Sequence, residues 1–186
     1  QSSVNGSGQI GLYLHIPFCV KKCPYCDFNS YERKGGAGSF ADEEDRYVKA
    51  LNSEIRTAFG NSDSGLWNNR IVSSIFFGGG TPSLLSAAAV GSILQTVFEA
   101  TAVESSAEIT LESNPGTISE TLGAEKLAGY RAGGINRISL GAQSFSPDKL
   151  NFLGRIHPAE AISQSVANIR TAGFTNFNID LMFGAA

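Results

Sequence analysis

The chain has 186 residues, of which 42% are hydrophobic and 17% charged, and its formal net charge at pH 7 is −3. This composition is that of one ordinary globular domain, and the absence of any Lys/Arg block argues against a nucleic acid partner. No apolar run approaches the roughly 20 residues that span a bilayer. The polar opening QSSVNGSGQ lacks the features of a signal peptide. We therefore expect a cytoplasmic protein, with the mitochondrion or a plastid as the alternative for a eukaryotic chain.

Short apolar runs alternate with longer amphipathic segments along the chain. Strands are predicted at 10–16, 71–77, 107–113, 135–141 and 174–183, and helices near 40–59, 85–99, 119–132 and 159–172. Ser119 is expected to precede the third helix, and Gly173 to end the fourth. Repeated β/α units imply parallel strands with right-handed crossovers, as in a TIM-type barrel. Because the series stops after five strands, we predict a partial α/β barrel over residues 10–186, preceded by a disordered tail over 1–9.

All the cysteines lie in the segment HIPFCVKKCPYCDF, at Cys19, Cys23 and Cys26. An odd number in one loop disfavours a disulfide framework. Structural zinc takes four ligands, so His15 would have to supply the fourth. A four-iron cluster held by three thiolates leaves one iron open to another ligand. The count therefore favours an iron–sulfur cluster, with zinc and a disulfide as alternatives.

Glycine and polar residues stand where the later predicted strands end, and Arg155 follows the end of the fourth strand by about a dozen residues. They are Gly79, Gly80 and Thr81 in FFGGGTPSLL, Glu112 in ITLES, Gln143 in LGAQSF, Arg155 in LGRIH and Asp180 in FNIDLMF. The glycine run exposes backbone that a ligand could approach. Each residue alone also has an ordinary explanation, such as a tight turn or a surface charge. Because barrel strands present their carboxyl ends at one face, we expect the set to converge with the cysteine loop.

The motif C-x-x-x-C-x-x-C after a first strand resembles the signature of radical S-adenosylmethionine (SAM) enzymes. The longer segment LYLHIPFCVKKCPYCDF resembles the coproporphyrinogen III oxidase-like family, and the resemblance extends from Gly11 to the end of the chain. It implies that the three cysteines hold a [4Fe–4S] cluster whose open iron binds SAM. It also implies that SAM contacts the strand-end residues named above, together with Tyr13 and with Tyr25, which would lie against adenine. Reductive cleavage of SAM then yields a radical that abstracts hydrogen.

Two branches of that family imply different activities. The oxygen-independent oxidase, which decarboxylates porphyrinogen propionates, has another cysteine two residues after the third, where this chain has Phe28. The segment CDFNSY resembles the haem-chaperone branch, HemW, although Phe28 could merely pack under the loop. The implied partners are haem or another tetrapyrrole, a flavodoxin- or ferredoxin-type electron donor and a haem-acceptor protein. A solvated position at a helix start is favoured for His157 over an axial haem ligand, and catalytic residues stay unassigned.

Overall fold

The computed structural model describes residues 8–33, 40–60, 67 and 70–184. The tail predicted over residues 1–9 falls outside the described part of the chain as far as residue 7, and the first strand already includes Gln9. The Gly/Ser-rich segment 34–39 and most of 60–65 are also outside the described residues.

The five predicted strands and four predicted helices occur in the predicted order. The strands and helices of the structure are β1 (Gln9–Ile16), β2 (Phe18–Cys19), β3 (Tyr31–Glu32), α1 (Phe40–Gly60), β4 (Ile71–Gly79), α2 (Ala87–Ala100), β5 (Val103–Ser113), α3 (Pro115–Ile118), α4 (Gly123–Ala132), β6 (Arg137–Gln143), α5 (Pro147–Phe152), α6 (Ala159–Thr171) and β7 (Phe177–Leu181). The short elements β2, β3, α3 and α5 are additional to the predicted ones. A short 3-10 turn over Pro82–Leu84 follows β4.

Five parallel strands form the main sheet, in the order β1-β4-β5-β6-β7. Each strand therefore lies beside the next one in sequence, with helical segments in the connections. This arrangement confirms the predicted α/β fold with a partial TIM-type barrel. Because all five strands run the same way, their carboxyl ends lie along one edge of the sheet. A separate two-stranded parallel ladder, β2 with β3, lies next to that edge and brackets the cysteine segment.

The hydrophobic core lies between the sheet and the helices that cover it. In α2 the fully buried residues Val90, Ile93, Leu94 and Val97 recur at helical spacing, so one face of the helix packs inward. Each such side chain contributes roughly 1.5–3 kcal/mol when it leaves water. The strands that carry the candidate residues are therefore held by a continuous apolar layer.

The helix predicted at 119–132 begins later than predicted, because α4 covers only Gly123–Ala132 and a separate short helix, α3, ends just before the predicted start. Asn114 accepts a hydrogen bond from the Gly116 amide and starts α3, which ends at Ile118. The Asn168 side chain of α6 donates to the Ile118 carbonyl oxygen at 2.8 Å and fixes the break. Ser119 therefore follows α3, and α4 begins only at Gly123.

Two strand starts and one additional helix also differ from the prediction. Strand β5 begins at Val103, four residues before the predicted start, and the helix α5 was not predicted at all. Strand β7 begins at Phe177 because Gly173, with φ +86°, and Phe174 both donate backbone hydrogen bonds to the last turn of α6. The expected helix stop at Gly173 is confirmed by this conformation.

Candidate active site

One cleft of about 300 Å³ opens at the carboxyl edge of the sheet. Its lining comes from the cysteine segment and from the ends of β4, β5, β6 and β7. All three cysteines line it, together with Tyr25, Gly79, Gly80, Thr81, Glu112, Gln143, Arg155 and Asp180. Residues spread over most of the sequence are therefore brought to one place by parallel strand order alone.

The cysteine segment is held to the sheet at both of its ends. The Tyr31 amide donates to the Pro17 carbonyl and the Arg33 amide to the Cys19 carbonyl, which fixes the β2–β3 ladder. His15 in β1 binds the Asn29 carbonyl oxygen through Nε2 at 2.7 Å. His15 is thus committed to anchoring the segment, which argues against its use as a fourth zinc ligand.

The three thiols have different surroundings. Cys19 is buried, and its sulfur lies 3.7 Å from the Thr81 hydroxyl. Cys23 is partly exposed, and its sulfur lies 3.6 Å from Nη1 of Arg155. Cys26 is also partly exposed, and its amide donates to the Cys23 carbonyl in a tight turn. A hydroxyl and a guanidinium therefore lie beside two of the three sulfurs, on the side of the cleft.

The donor set fits an iron–sulfur cluster. Three free thiols line one cleft, although among the described residues no three His, Cys, Asp or Glu side chains are grouped closely enough to hold a metal ion as they stand. Soft thiolates favour iron–sulfur clusters, whereas a site of three thiols lacks the fourth donor of structural zinc. In this structure the cysteines are therefore suitable cluster ligands.

The glycine run after β4 serves the fold as well as the cleft. A Cβ at Gly80 would lie 2.5 Å from the Phe18 carbonyl oxygen and 3.0 Å from that of Ile16. The amides of Gly80 and Thr81 donate to these same two oxygens at 2.7 Å. Gly80 is therefore required by close backbone packing against the start of the cysteine segment, and the sequence-based explanation by ligand access was incomplete.

Glu112 at the end of β5 is the most buried of the cleft carboxylates. Burial raises its pKa, the Gly79 amide that donates to Oε2 at 3.2 Å lowers it, and the nearby Asp180 carboxylate raises it. Asp180 itself accepts hydrogen bonds from the Ser139 hydroxyl at 2.9 Å and from the Asn178 amide at 2.6 Å. Two carboxylates on adjoining walls give this side of the cleft a negative potential, which suits a cationic ligand.

Gln143 ends β6 in a strained conformation. Its φ of +68° makes it the one residue other than glycine with a left-handed backbone in the part of the chain that the structure describes. The Gln143 carbonyl oxygen accepts from the Met182 amide, and the register between β6 and β7 shifts here. Such strain costs of order 1–3 kcal/mol and is typical of functional sites.

Arg155 crosses the cleft toward the cysteine segment. Its Nη2 donates to the Gly141 carbonyl oxygen at 2.7 Å, and its Nη1 lies 3.5 Å from the Tyr25 hydroxyl. Burial raises the pKa of Tyr25, while the Arg155 charge lowers it and Cys23 raises it. The guanidinium lines the same cleft as the two carboxylates, as do Lys21 and Lys22, so the cleft offers both signs of charge to a zwitterionic ligand.

Comparison with known proteins identifies the family. The model of the radical SAM superfamily matches residues 13–185. The chain belongs to the radical SAM superfamily. Members of this superfamily use a [4Fe–4S] cluster and SAM, so the sequence-based assignment of these two cofactors holds at the level of the superfamily.

Individual relatives narrow the comparison within the radical SAM superfamily. The chain is 42% identical over 175 residues to the haem chaperone HemW of Escherichia coli, which covers 94% of this chain and 43% of the relative. It is 37% identical over 184 residues to the mitochondrial radical S-adenosyl methionine domain-containing protein 1 of Bos taurus. This match covers 99% of this chain and 38% of the relative. The chain thus spans less than half the length of these curated relatives.

A solved structure supports the same assignment to the radical SAM superfamily. Coproporphyrinogen III oxidase (HemN) from Escherichia coli, a radical SAM enzyme, aligns with a TM-score of 0.77 and 32% identity, covering 94% of this chain and 37% of that one. Among the described residues, none of the helices is both long and apolar enough to cross a membrane.

Eight of the nine residues predicted to contact SAM line the radical SAM cleft. The exception is Tyr13, whose hydroxyl instead lies 3.2 Å from Nδ1 of His15 outside that lining. Burial raises the pKa of Tyr13, and the charge of Glu112 raises it further. The predicted convergence at the strand ends is therefore observed for the cysteine segment and for four strands.

Some lining residues were not predicted from the sequence. Gly141 and Ser139 lie two and four positions before Gln143 in β6, so all three lie on one face of the strand. In a strand every second residue lies on the same face, and this alternation could have indicated Ser139 and Gly141 as lining residues. The prediction of a solvated His157 is wrong, because only 4% of the residue is exposed and its Nε2 accepts from Nε of Arg155 at 3.2 Å. Nothing in RIHPAE distinguishes a buried from a solvated histidine.

Proposed function

We propose that this chain is the radical SAM core of a haem chaperone of the HemW kind. Cys19, Cys23 and Cys26 would hold the [4Fe–4S] cluster, and the cleft beside them would hold SAM. The complete protein would bind haem and pass it to an acceptor protein, in a reducing compartment such as the cytoplasm. The observation that carries this proposal is the convergence of three thiols, two carboxylates and one guanidinium on a single cleft.

The charges of the cleft suit SAM in particular. SAM carries a sulfonium and an ammonium, both cationic, and a carboxylate. Glu112 and Asp180 provide anionic groups on the wall formed by β5 and β7, while Arg155 provides a cation near Cys23. The Gly79 amide holds the Glu112 carboxylate in place. When bound, the cluster supplies the electron for reductive SAM cleavage, and these protein groups bind and orient the substrate and exclude water.

Phe28 favours the chaperone over the oxidase. The side chain is 61% exposed and lines the cleft, so it does not pack beneath the segment. The replacement of the oxidase cysteine by an aromatic side chain therefore changes the surroundings of the cluster itself. A thiol at this position would offer another sulfur donor, whereas phenylalanine offers apolar surface. The 42% identity to the Escherichia coli haem chaperone supports the same choice.

The oxidase is the second candidate, because the HemN structure aligns over 94% of this chain. Two assays on full-length protein after anaerobic reconstitution separate the candidates. The first measures protoporphyrinogen formed from coproporphyrinogen III with SAM and a reductant, and the second measures haem retained per chain. We expect haem retention at about one per chain and no catalytic turnover. Sustained protoporphyrinogen formation would contradict the chaperone assignment.

The cluster ligands have a separate test. Cys19→Ala, Cys23→Ala and Cys26→Ala should each lose the brown chromophore and most of the roughly four irons per chain expected for one cluster. Phe28→Ala is the matched control, because it truncates a cleft side chain that has no sulfur and should keep the iron. Wild-type protein that binds one zinc and remains colourless would contradict the proposed cofactor.

A further inference from the structure

The Arg155 side chain has to be held in one orientation if its charge is to face a ligand in the cleft. Of its three nitrogens, Nη2 is bound to the Gly141 carbonyl oxygen at 2.7 Å, and Nε donates to Nε2 of His157 at 3.2 Å. These two bonds hold two of the three nitrogens of a planar group and therefore fix its plane. The remaining nitrogen, Nη1, is directed toward Cys23 and Tyr25, on the cleft side.

The hydrogen bonds of His157 determine its protonation. Because arginine has no acceptor, Nε2 of His157 must be the unprotonated nitrogen that accepts from Arg155. The proton must then be on Nδ1, which lies 3.2 Å from the Pro158 carbonyl oxygen and donates to it. Both ring nitrogens are used and only 4% of the residue is exposed, which rules out the axial haem ligand considered from the sequence. Burial and the Arg155 charge lower the pKa of His157, in agreement with a neutral ring.

We propose that His157 is the positioning residue that orients Arg155 toward the carboxylate of SAM. The neutral Nδ1–H tautomer presents an acceptor to Nε, and the guanidinium then presents Nη1 to the cleft. This inference rests on the proposed function, because it takes SAM as the ligand. Without the acceptor at His157, the arginine keeps its charge but loses one of the two bonds that fix its plane.

The structure provides an internal control for the tautomer. The chain contains two histidines. Nε2 of His15 lies 2.7 Å from the Asn29 carbonyl oxygen and Nδ1 lies 3.2 Å from the Tyr13 hydroxyl, so His15 carries its proton on Nε2. The two rings therefore have opposite tautomers, which ¹⁵N chemical shifts of histidine distinguish in protein without cofactors.

Two variants separate positioning from a merely structural role. His157→Gln keeps an amide oxygen that can accept from Nε of Arg155, whereas His157→Leu has a similar bulk and no acceptor. Equilibrium dialysis of SAM against anaerobically reconstituted protein should show about tenfold weaker binding for His157→Leu, the size expected for one hydrogen bond to a charged group. Binding by His157→Gln should stay within about threefold of wild type. In an Arg155→Met background, His157→Leu should cause no further loss of SAM binding, because the two residues act through one contact.

The same variants are compared without cofactors by NMR. The Nε–H proton of Arg155 should be protected from exchange in wild type and in His157→Gln, and unprotected in His157→Leu. If wild-type protein fails to bind SAM, the proposed function fails, and the NMR data still decide whether His157 holds Arg155. The positioning role is overturned if His157 carries its proton on Nε2, if glutamine restores no more binding than leucine, or if the loss persists in the Arg155→Met background.

Discussion

Replacing Gly80 with alanine tests the close packing between the end of β4 and the cysteine segment. The added Cβ would overlap the Phe18 carbonyl oxygen, which lies 2.5 Å away, and would crowd the Ile16 carbonyl oxygen at 3.0 Å. Both are backbone atoms, so no side-chain rotation can relieve the contact. The chain must move apart, which weakens the two amide hydrogen bonds that Gly80 and Thr81 donate to these oxygens.

The expected cost follows from those contacts. Two backbone hydrogen bonds at roughly 0.5–1.5 kcal/mol each give about 2 kcal/mol. Overpacking adds roughly 1–3 kcal/mol, and the lower entropy of alanine in the unfolded chain returns roughly 0.4–1 kcal/mol. We therefore expect the free energy of unfolding to fall by about 3 kcal/mol. For a chain of this length, that corresponds to a Tm lower by about 10 °C.

Urea unfolding of the cofactor-free protein, followed by circular dichroism, measures this difference. Gly91→Ala is the matched control, since it makes the same change inside α2 where a Cβ would have no neighbour within 4 Å. It should stabilise the protein by roughly 0.5–1 kcal/mol through helix propensity. Iron uptake should fall only in Gly80→Ala, because Phe18 directly precedes Cys19. Equal stability of the two variants would refute the packing explanation.

Three other substitutions address groups described above. Because burial raises the pKa of Glu112, its contribution to folding stability is fully present below its unfolded-state pKa of about 4.3 and is lost as pH rises through the folded value. Glu112→Gln should therefore become progressively more stable than wild type in urea titrations from pH 4 to pH 8. A difference in unfolding free energy that stays constant over this range would contradict this. Tyr130→Phe should lose roughly 1–2 kcal/mol of unfolding free energy, since the buried hydroxyl donates to the Leu85 carbonyl oxygen at 2.6 Å; an unchanged urea midpoint would count against it. Asn168→Ala should lose a similar amount and selectively loosen the turn after Ile118 in hydrogen exchange, whereas a uniform change across the sheet would point to another cause.

Much of the fold could be predicted from the sequence because strand and helix periods are local properties. The five strand positions overlapped the observed ones, and parallel order then fixed the edge at which the candidate residues meet. The α3–α4 break could not be predicted, because it depends on Asn168, a residue that lies some 50 positions later in sequence and donates to the Ile118 carbonyl. Tertiary hydrogen bonds of this kind leave no local pattern.

The site was predicted to a similar degree. The cysteine motif, the strand-end rule and the resemblance to the family together identified eight lining residues among the nine proposed SAM contacts. The state of His157 was mistaken, because burial depends on how α3 and the segment after α5 pack around it. The role of Gly80 was only partly predicted. The atoms that exclude a side chain there are the carbonyl oxygens of Phe18 in β2 and of Ile16 at the end of β1.

The separation in sequence between the walls of the cleft has a consequence for biosynthesis. The cysteines leave the ribosome well before Asp180 and the other residues of β7, which follow much later in the sequence. Parallel strands pair only after the crossover between them is complete. Until β7 has been synthesised, the thiols therefore lack the part of the cleft that β7 provides. Exposed thiols of a nascent chain are open to oxidation by peroxide or by one another. We therefore expect cluster loading to be a late step of maturation, and a cell short of reductant to lose newly made chains before it loses finished protein.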